Sequence, residues 1–149
     1  MWIPYGKPGA IARVSGGNSA PCLFGTVKIY QMGKQVLVVT EVYGMPKNET
    51  GFFALHIHEG GSCREGFSLT GGHYNPDNKP HPMHAGDLPP LLNCDGRAFS
   101  AVLTDRFTLK EILGKTTVIH EGPDDFSSQP AGNAGQKIAC GLIVPCMGA

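Results

Sequence analysis

The stretch DLPPLLNCDGRAFSAVLT, residues 87–104, decides the fold. Asp95-Gly96 sits between two strand-like runs, and this dipeptide tolerates the positive φ angles that a tight hairpin turn requires. The flanking runs therefore read as antiparallel strands, Asp87–Asn93 and Ala98–Thr104. Working outward, similar short runs lie at Ala10–Ser15, Leu23–Gln31, Gln35–Val42, Phe52–His58, Thr116–His120 and Lys137–Val144. Gly16-Gly17-Asn18, Met32-Gly33 and Pro46-Lys47-Asn48 punctuate them. No window longer than ten residues holds a clear 3.6-residue period, so helices are not expected. Eight short strands with such turns predict an all-β chain, an eight-stranded antiparallel sandwich or barrel.

At 149 residues the chain is expected to form one domain, 1–149, with a single sizeable core. Lys plus Arg and Asp plus Glu number 12 each, so the net charge is zero. That balance speaks against nucleic-acid binding and against a polybasic membrane contact. No apolar run approaches the roughly 20 residues that span a bilayer. The N-terminal MWIPYGKPGAIARV lacks the basic and apolar regions of a signal peptide. A cytoplasmic location is expected if Met1 is the native start; periplasmic or secreted is the alternative, with a signal already removed. Five cysteines, Cys22, Cys63, Cys94, Cys140 and Cys146, leave at least one unpaired in a monomer.

Two intervals break the short-loop pattern, Glu59–Gly86 and Gly122–Gln136, and loops of that length are usually functional or disordered. Metal ligands could order them. All six histidines of the chain fall in or beside them: His56, His58, His73, His81, His84 and His120. On a strand His56 and His58 share one face, about 6.6 Å apart, while Leu55 and Ile57 turn to the core. His73, His81, His84 and Asp87 supply three imidazoles and a carboxylate within 15 residues, the ligand count and type of a tetrahedral zinc site. His120 ends the apolar run TTVIH. Imidazole also suits copper. A copper ion on His56, His58 and His120 is one imidazole short of four. His73 can complete it by bridging through both ring nitrogens, which uses every histidine.

The motifs LHIHEGGSC (55–63), GGHYNP (71–76), HAGDL (84–88), VIHEGPDD (118–125) and GNAGQKIACG (132–141) resemble, in this order, those of copper/zinc superoxide dismutases. The close spacing in PHPMHAGDLPPL is similar to the bacterial branch. The resemblance covers Ala10 to Val144 and implies a Greek-key barrel or sandwich with two long functional loops. It implies copper on His56, His58, His73 and His120, and zinc on His73, His81, His84 and Asp87. Asp124 is then the carboxylate that bonds one histidine of each metal, and Cys63–Cys140 is a disulfide. Cys22, Cys94 and Cys146 are expected to pack as small apolar groups. The implied reaction converts superoxide to dioxygen and hydrogen peroxide through Cu(II)/Cu(I) cycling, with His73 taking and returning a proton. The implied partner is the superoxide anion, and both monomer and homodimer occur in such a family. The alternative is a catalytically weak or inactive metal-binding protein of the same fold.

One departure bears on activity. Lys137 stands where the family's substrate-guiding arginine is expected. Lysine keeps the charge but loses the planar fork, so retained but reduced activity is expected. The second loop carries no Lys or Arg between His120 and Lys137. Steering would then fall to Lys79, Lys115 or Arg97.

Overall fold

The computed structural model describes residues 6–147, so the first five residues of the stretch read for a leader lie outside it. The strands are β1 (Ala10–Gly16), β2 (Phe24–Met32), β3 (Gln35–Tyr43), β4 (Phe52–Phe53), β5 (Leu55–His58), β6 (Leu91–Leu92), β7 (Ala98–Thr104), β8 (Thr116–His120) and β9 (Lys137–Pro145). Seven form one antiparallel sheet in the order β5-β8-β9-β1-β2-β3-β7, and β4 pairs with β6. β4 and β5 are a single extended run broken at Ala54. The Ala54 N–H donates to the Gly122 carbonyl, and its own carbonyl accepts from the His120 N–H. Counted once, that run gives eight strands. It pairs with β6 through Phe52–Leu92 and with β8 through His56–Val118. Because β6 is hairpinned to β7, the run ties one edge of the curled sheet to the other, as a Greek-key barrel requires.

The β6–β7 hairpin forms as the Asp-Gly pair dictates. Asp95 (φ 50°) and Gly96 (φ 87°) both take positive φ, and Cys94 and Arg97 exchange both backbone hydrogen bonds. The strand expected over Asp87–Asn93 shrinks to Leu91–Leu92, with one isolated bridge from Asp87 to His56. Pro89 and Pro90 have no N–H to give a ladder, which stops pairing between them. A four-residue helix, α1 (Leu109–Ile112), was not expected. It is held by a capping box in which Thr108 accepts from the Glu111 N–H and the Glu111 carboxylate accepts from the Thr108 N–H.

Alternation fills the barrel. Ala12, Val14, Val27, Ile29, Val36, Val38, Phe53, Leu55, Ile57, Ile119 and Ile143 are buried in one cluster. Fully burying a side chain of this size stabilises the fold by about 1.5–3 kcal/mol. Cys22 and Cys94 are exposed and Cys146 is half-buried, contrary to the expectation of packed thiols. Cys22 precedes β2, Cys94 sits in the hairpin turn and Cys146 follows β9, so none occupies an inward-facing strand position.

The first long loop lies along the free edge of β5. The Tyr74 N–H donates to the Ile57 carbonyl, and the Ile57 N–H donates to the Gly86 carbonyl. This covers the edge backbone groups and sets His73 opposite His58 and Asp87 opposite His56. A Cβ at Gly86 would lie 2.3 Å from the Ile57 carbonyl oxygen, so only glycine allows this approach. The Cys63–Cys140 disulfide, with Cα atoms 5.8 Å apart, ties the same loop to β9.

Candidate metal centre

His56 and His58 lie on the outer face of β5, as alternation requires, with ring centroids 6.3 Å apart. They are nonetheless 0% and 2% exposed, because the two long loops roof that face. β8 brings in His120 beside them, and the first loop brings in His73, His81, His84 and Asp87. Ligand atoms of His56, His58, His73 and His120 lie within 4.8 Å of one another, as do those of His73, His81, His84 and Asp87. The structure thus brings together every ligand candidate named from the sequence.

Hydrogen bonds decide which nitrogen each ring offers. His58 Nδ1 lies 2.8 Å from the Gly71 carbonyl and His120 Nδ1 lies 3.0 Å from the Gly135 carbonyl. A carbonyl only accepts, so both Nδ1 atoms carry the proton and both Nε2 atoms are lone pairs in the neutral rings. These two Nε2 atoms face each other at 3.2 Å. Two lone pairs at that distance repel unless a cation lies between them. Protonation is opposed: burial, chiefly, pushes His58 down to about 2 and His120 to about 4. The positive charge of Lys137 depresses both further. His56 Nε2 is bonded to Asp124 at 2.8 Å, leaving its buried Nδ1 without a partner. His73 Nε2 is likewise buried and unpartnered. Four buried ring nitrogens therefore converge, two of them bare lone pairs and two without a protein partner, a donor set that fits copper.

On the other side His73 Nδ1 lies 2.8 Å from Asp87 Oδ1 and 3.2 Å from His84 Nδ1. His81 Nδ1 is 3.0 Å from Asp87 Oδ2 but makes no hydrogen bond. Three imidazole nitrogens and a carboxylate around one point fit tetrahedral zinc. Burial alone would raise the Asp87 pKa, but the His73 hydrogen bond and the three histidines around it hold it below the usual range.

Asp124 links the two halves. Its Oδ2 accepts from His56 Nε2 at 2.8 Å and its Oδ1 from His81 Nε2 at 2.7 Å. Burial opposes its ionisation, yet these two bonds and the Phe126 N–H keep it well below the ordinary carboxylate range. Gly132, at φ 70°, passes so close that a Cβ there would sit 2.1 Å from Asp124 Oδ1. Glycine is required at that point of the second loop.

Lys137 Nζ donates to Thr70 Oγ1 at 2.7 Å and to the Gly71 carbonyl at 2.9 Å, the same carbonyl that holds His58. Burial lowers its pKa. Two of the steering candidates are paired: Lys115 with Glu59 at 3.4 Å and Arg97 with Glu41 at 3.7 Å. Lys79 lines a cleft together with Asp77 and Asp105. Sequence reasoning missed Gln129 and Arg106, which hold the backbone around His81 and His84. No local pattern marks them, because their partners are backbone groups 22 to 48 residues away.

Residues 23–143 match the copper/zinc superoxide dismutase family. The chain is 38% identical over 142 residues to superoxide dismutase [Cu-Zn] 2 of Aquifex aeolicus, covering 85% of this chain and 82% of that protein. It is 35% identical to superoxide dismutase [Cu-Zn] of Photobacterium leiognathi, covering 80% and 78%. It is 34% identical to that of Francisella tularensis, covering 72% and 63%.

Proposed function

The chain belongs to the copper/zinc superoxide dismutase family, and from that premise we propose which of its residues carry the dismutation of superoxide to dioxygen and hydrogen peroxide. His56 Nδ1 and the Nε2 atoms of His58, His73 and His120 would hold copper. The Nδ1 atoms of His73, His81 and His84, with Asp87, would hold zinc. The observation that carries this assignment is the pair of bare Nε2 atoms, 3.2 Å apart, whose rings are locked by Gly71 and Gly135. Copper bound there would supply one-electron transfer in both directions, the chemistry by which one superoxide is oxidised and the next reduced with two protons taken up.

The remaining roles fall to the chain. His73 Nε2 is buried and has no protein partner, so whenever it is not holding copper it could keep a proton and deliver it to the reduced oxygen. Asp87 and His84, beside His73 Nδ1, fix the ring while that proton moves. Asp124 sets the tautomers of His56 and His81, leaving each Nδ1 for a metal. Lys137 attracts the anion and offers it the one N–H not used by Thr70 and Gly71.

Metal analysis after loading tests the assignment. One copper and one zinc per chain are expected, with zinc lost and copper kept in His81→Ala. Zinc retained at one per chain in that variant contradicts it.

The protein acts as a single domain in an oxidising compartment, periplasmic or extracellular, which suits the Cys63–Cys140 bond. Finding Cys63 reduced in fractionated cells contradicts that location. Phe52 and Leu92, cross-strand neighbours 40% and 56% exposed, offer an apolar face for a homodimer. Phe52→Glu should shift sedimentation from dimer to monomer, and unchanged sedimentation refutes that face.

A further inference from the structure

The turn that carries His81 and His84 has no helix or strand around it, yet its backbone is almost fully bonded. From the second long loop, Gln129 meets His81 with both ends of its amide. The His81 N–H donates to Gln129 Oε1 at 2.9 Å, and Gln129 Nε2 donates to the His81 carbonyl at 2.7 Å. From the segment between β7 and α1, Arg106 Nη1 donates to the carbonyls of Pro82 at 2.8 Å and His84 at 3.2 Å. Its Nη2 lies 3.9 Å from Met83 Sδ. Within the turn the Met83 N–H donates to the Pro80 carbonyl, and the His84 N–H donates to Asp87 Oδ2. Every N–H from His81 to His84, and three of the four carbonyls, thus has a protein partner. Outside helices and strands, buried backbone groups must find turns, side chains or water as partners. Here two side chains from elsewhere in the fold complete the set.

We propose that Gln129 and Arg106 are positioning residues that pre-form the zinc cradle and set how firmly and in what geometry the ion is held. The proposal rests on the assignment of zinc to His73, His81, His84 and Asp87. Where His81 Nδ1 points depends on two anchors, the Asp124 bond at the far side of its ring and the placement of its backbone. Gln129 fixes that backbone. His84 is three residues on, so the Arg106 clamp on Pro82 and His84 fixes the second imidazole relative to the first. A turn already ordered loses little conformational freedom when the ion binds, whereas a loose turn must be ordered by it. Gln129 and Asp124 both come from the second loop, so the zinc side is held by a loop that supplies none of its ligands.

The test uses the full copper- and zinc-loaded protein and the variants Gln129→Ala, Gln129→Glu, Arg106→Ala and Arg106→Lys. Zinc release to a chelator is timed, copper content is measured in parallel, and Co(II) loaded in place of zinc reports the ligand geometry by its visible absorption. Partners of this kind typically contribute 10–100-fold in metal affinity. Gln129→Ala and Arg106→Ala should therefore release zinc about tenfold faster or more, with copper retained and the tetrahedral Co(II) bands weakened. Gln129→Glu keeps an acceptor but loses the donor, so it should resemble the alanine variant. Arg106→Lys keeps one donor and should recover part of the loss. Release within about twofold of the parent in all four variants, with an unchanged Co(II) spectrum, overturns the clamp alone. Parallel loss of copper and zinc shows general loosening and also overturns it. If His81→Ala and His84→Ala hold zinc as firmly as the parent, the zinc assignment fails and the clamp fails with it.

Discussion

Lys137→Arg should make the enzyme faster. Lysine has three N–H donors, and in this structure Thr70 Oγ1 and the Gly71 carbonyl take two of them. One remains for superoxide. Arginine brings five donors in a planar fork, so it can keep both internal bonds and still present two to the anion. One extra hydrogen bond contributes about 0.5–1.5 kcal/mol, or roughly 2- to 13-fold in kcat/KM. A second signature separates this cause from a change in metal content. Burial lowers the Lys137 pKa, so the native enzyme should lose its guiding charge at a less alkaline pH than an ordinary lysine would allow. Arginine stays charged, so the alkaline fall in rate should move upward or vanish. The assay is superoxide decay at low ionic strength across neutral to alkaline pH, normalised to bound copper. An unchanged rate with an unchanged alkaline limb, at equal copper occupancy, refutes the assignment of Lys137 as the guiding cation.

Asp124→Asn leaves an NH2 group against one of two N–H donors, from His56 or His81, and should weaken metal binding by about 10- to 100-fold; dialysis against graded chelator checks this, and parent-like retention of both ions contradicts it. Removing the disulfide by Cys63→Ser with Cys140→Ser opens a loop of 77 residues. On the chain-entropy estimate the loss is about 4.5 kcal/mol, read from urea unfolding; a change below about 1 kcal/mol contradicts that estimate. In the metal-free protein, His58 and His120 have folded pKa values of about 2 and about 4, below the ordinary 6.5. The unfolded chain then binds more protons as pH drops below 6.5, so stability should fall towards acid. Between 6.5 and about pH 5 each contributes roughly 2 kcal/mol. Urea midpoints at about pH 7 and about pH 5 measure this, and equal midpoints refute it.

The eight strand runs were legible because alternation and the Asp95-Gly96 turn are local properties. The shortening of β6 was also written locally, in Pro89-Pro90, whose missing N–H groups outweigh the apolar character around them. The helix α1 escaped because four residues hold no period, although Thr108-x-x-Glu111 is a capping-box signature. The six histidines stood out as a group because imidazole spacing is chemical information carried by the chain itself. Which ring nitrogen each presents was not legible. That choice is made by Gly71, Gly135 and Asp124, which reach the rings only once the loops have folded over β5. The thiols show the opposite case: cysteine is usually buried, but Cys22 and Cys94 lie beyond strand ends where no core reaches them.

Superoxide decay, normalised to copper bound per chain, tests the central claim most directly when the parent is compared with His120→Ala. Rapid decay in the parent that is lost in His120→Ala, with zinc still bound, is the result the account predicts. Full copper and zinc occupancy in the parent with decay no faster than in copper-free buffer would contradict it and leave a metal-binding protein of the same fold.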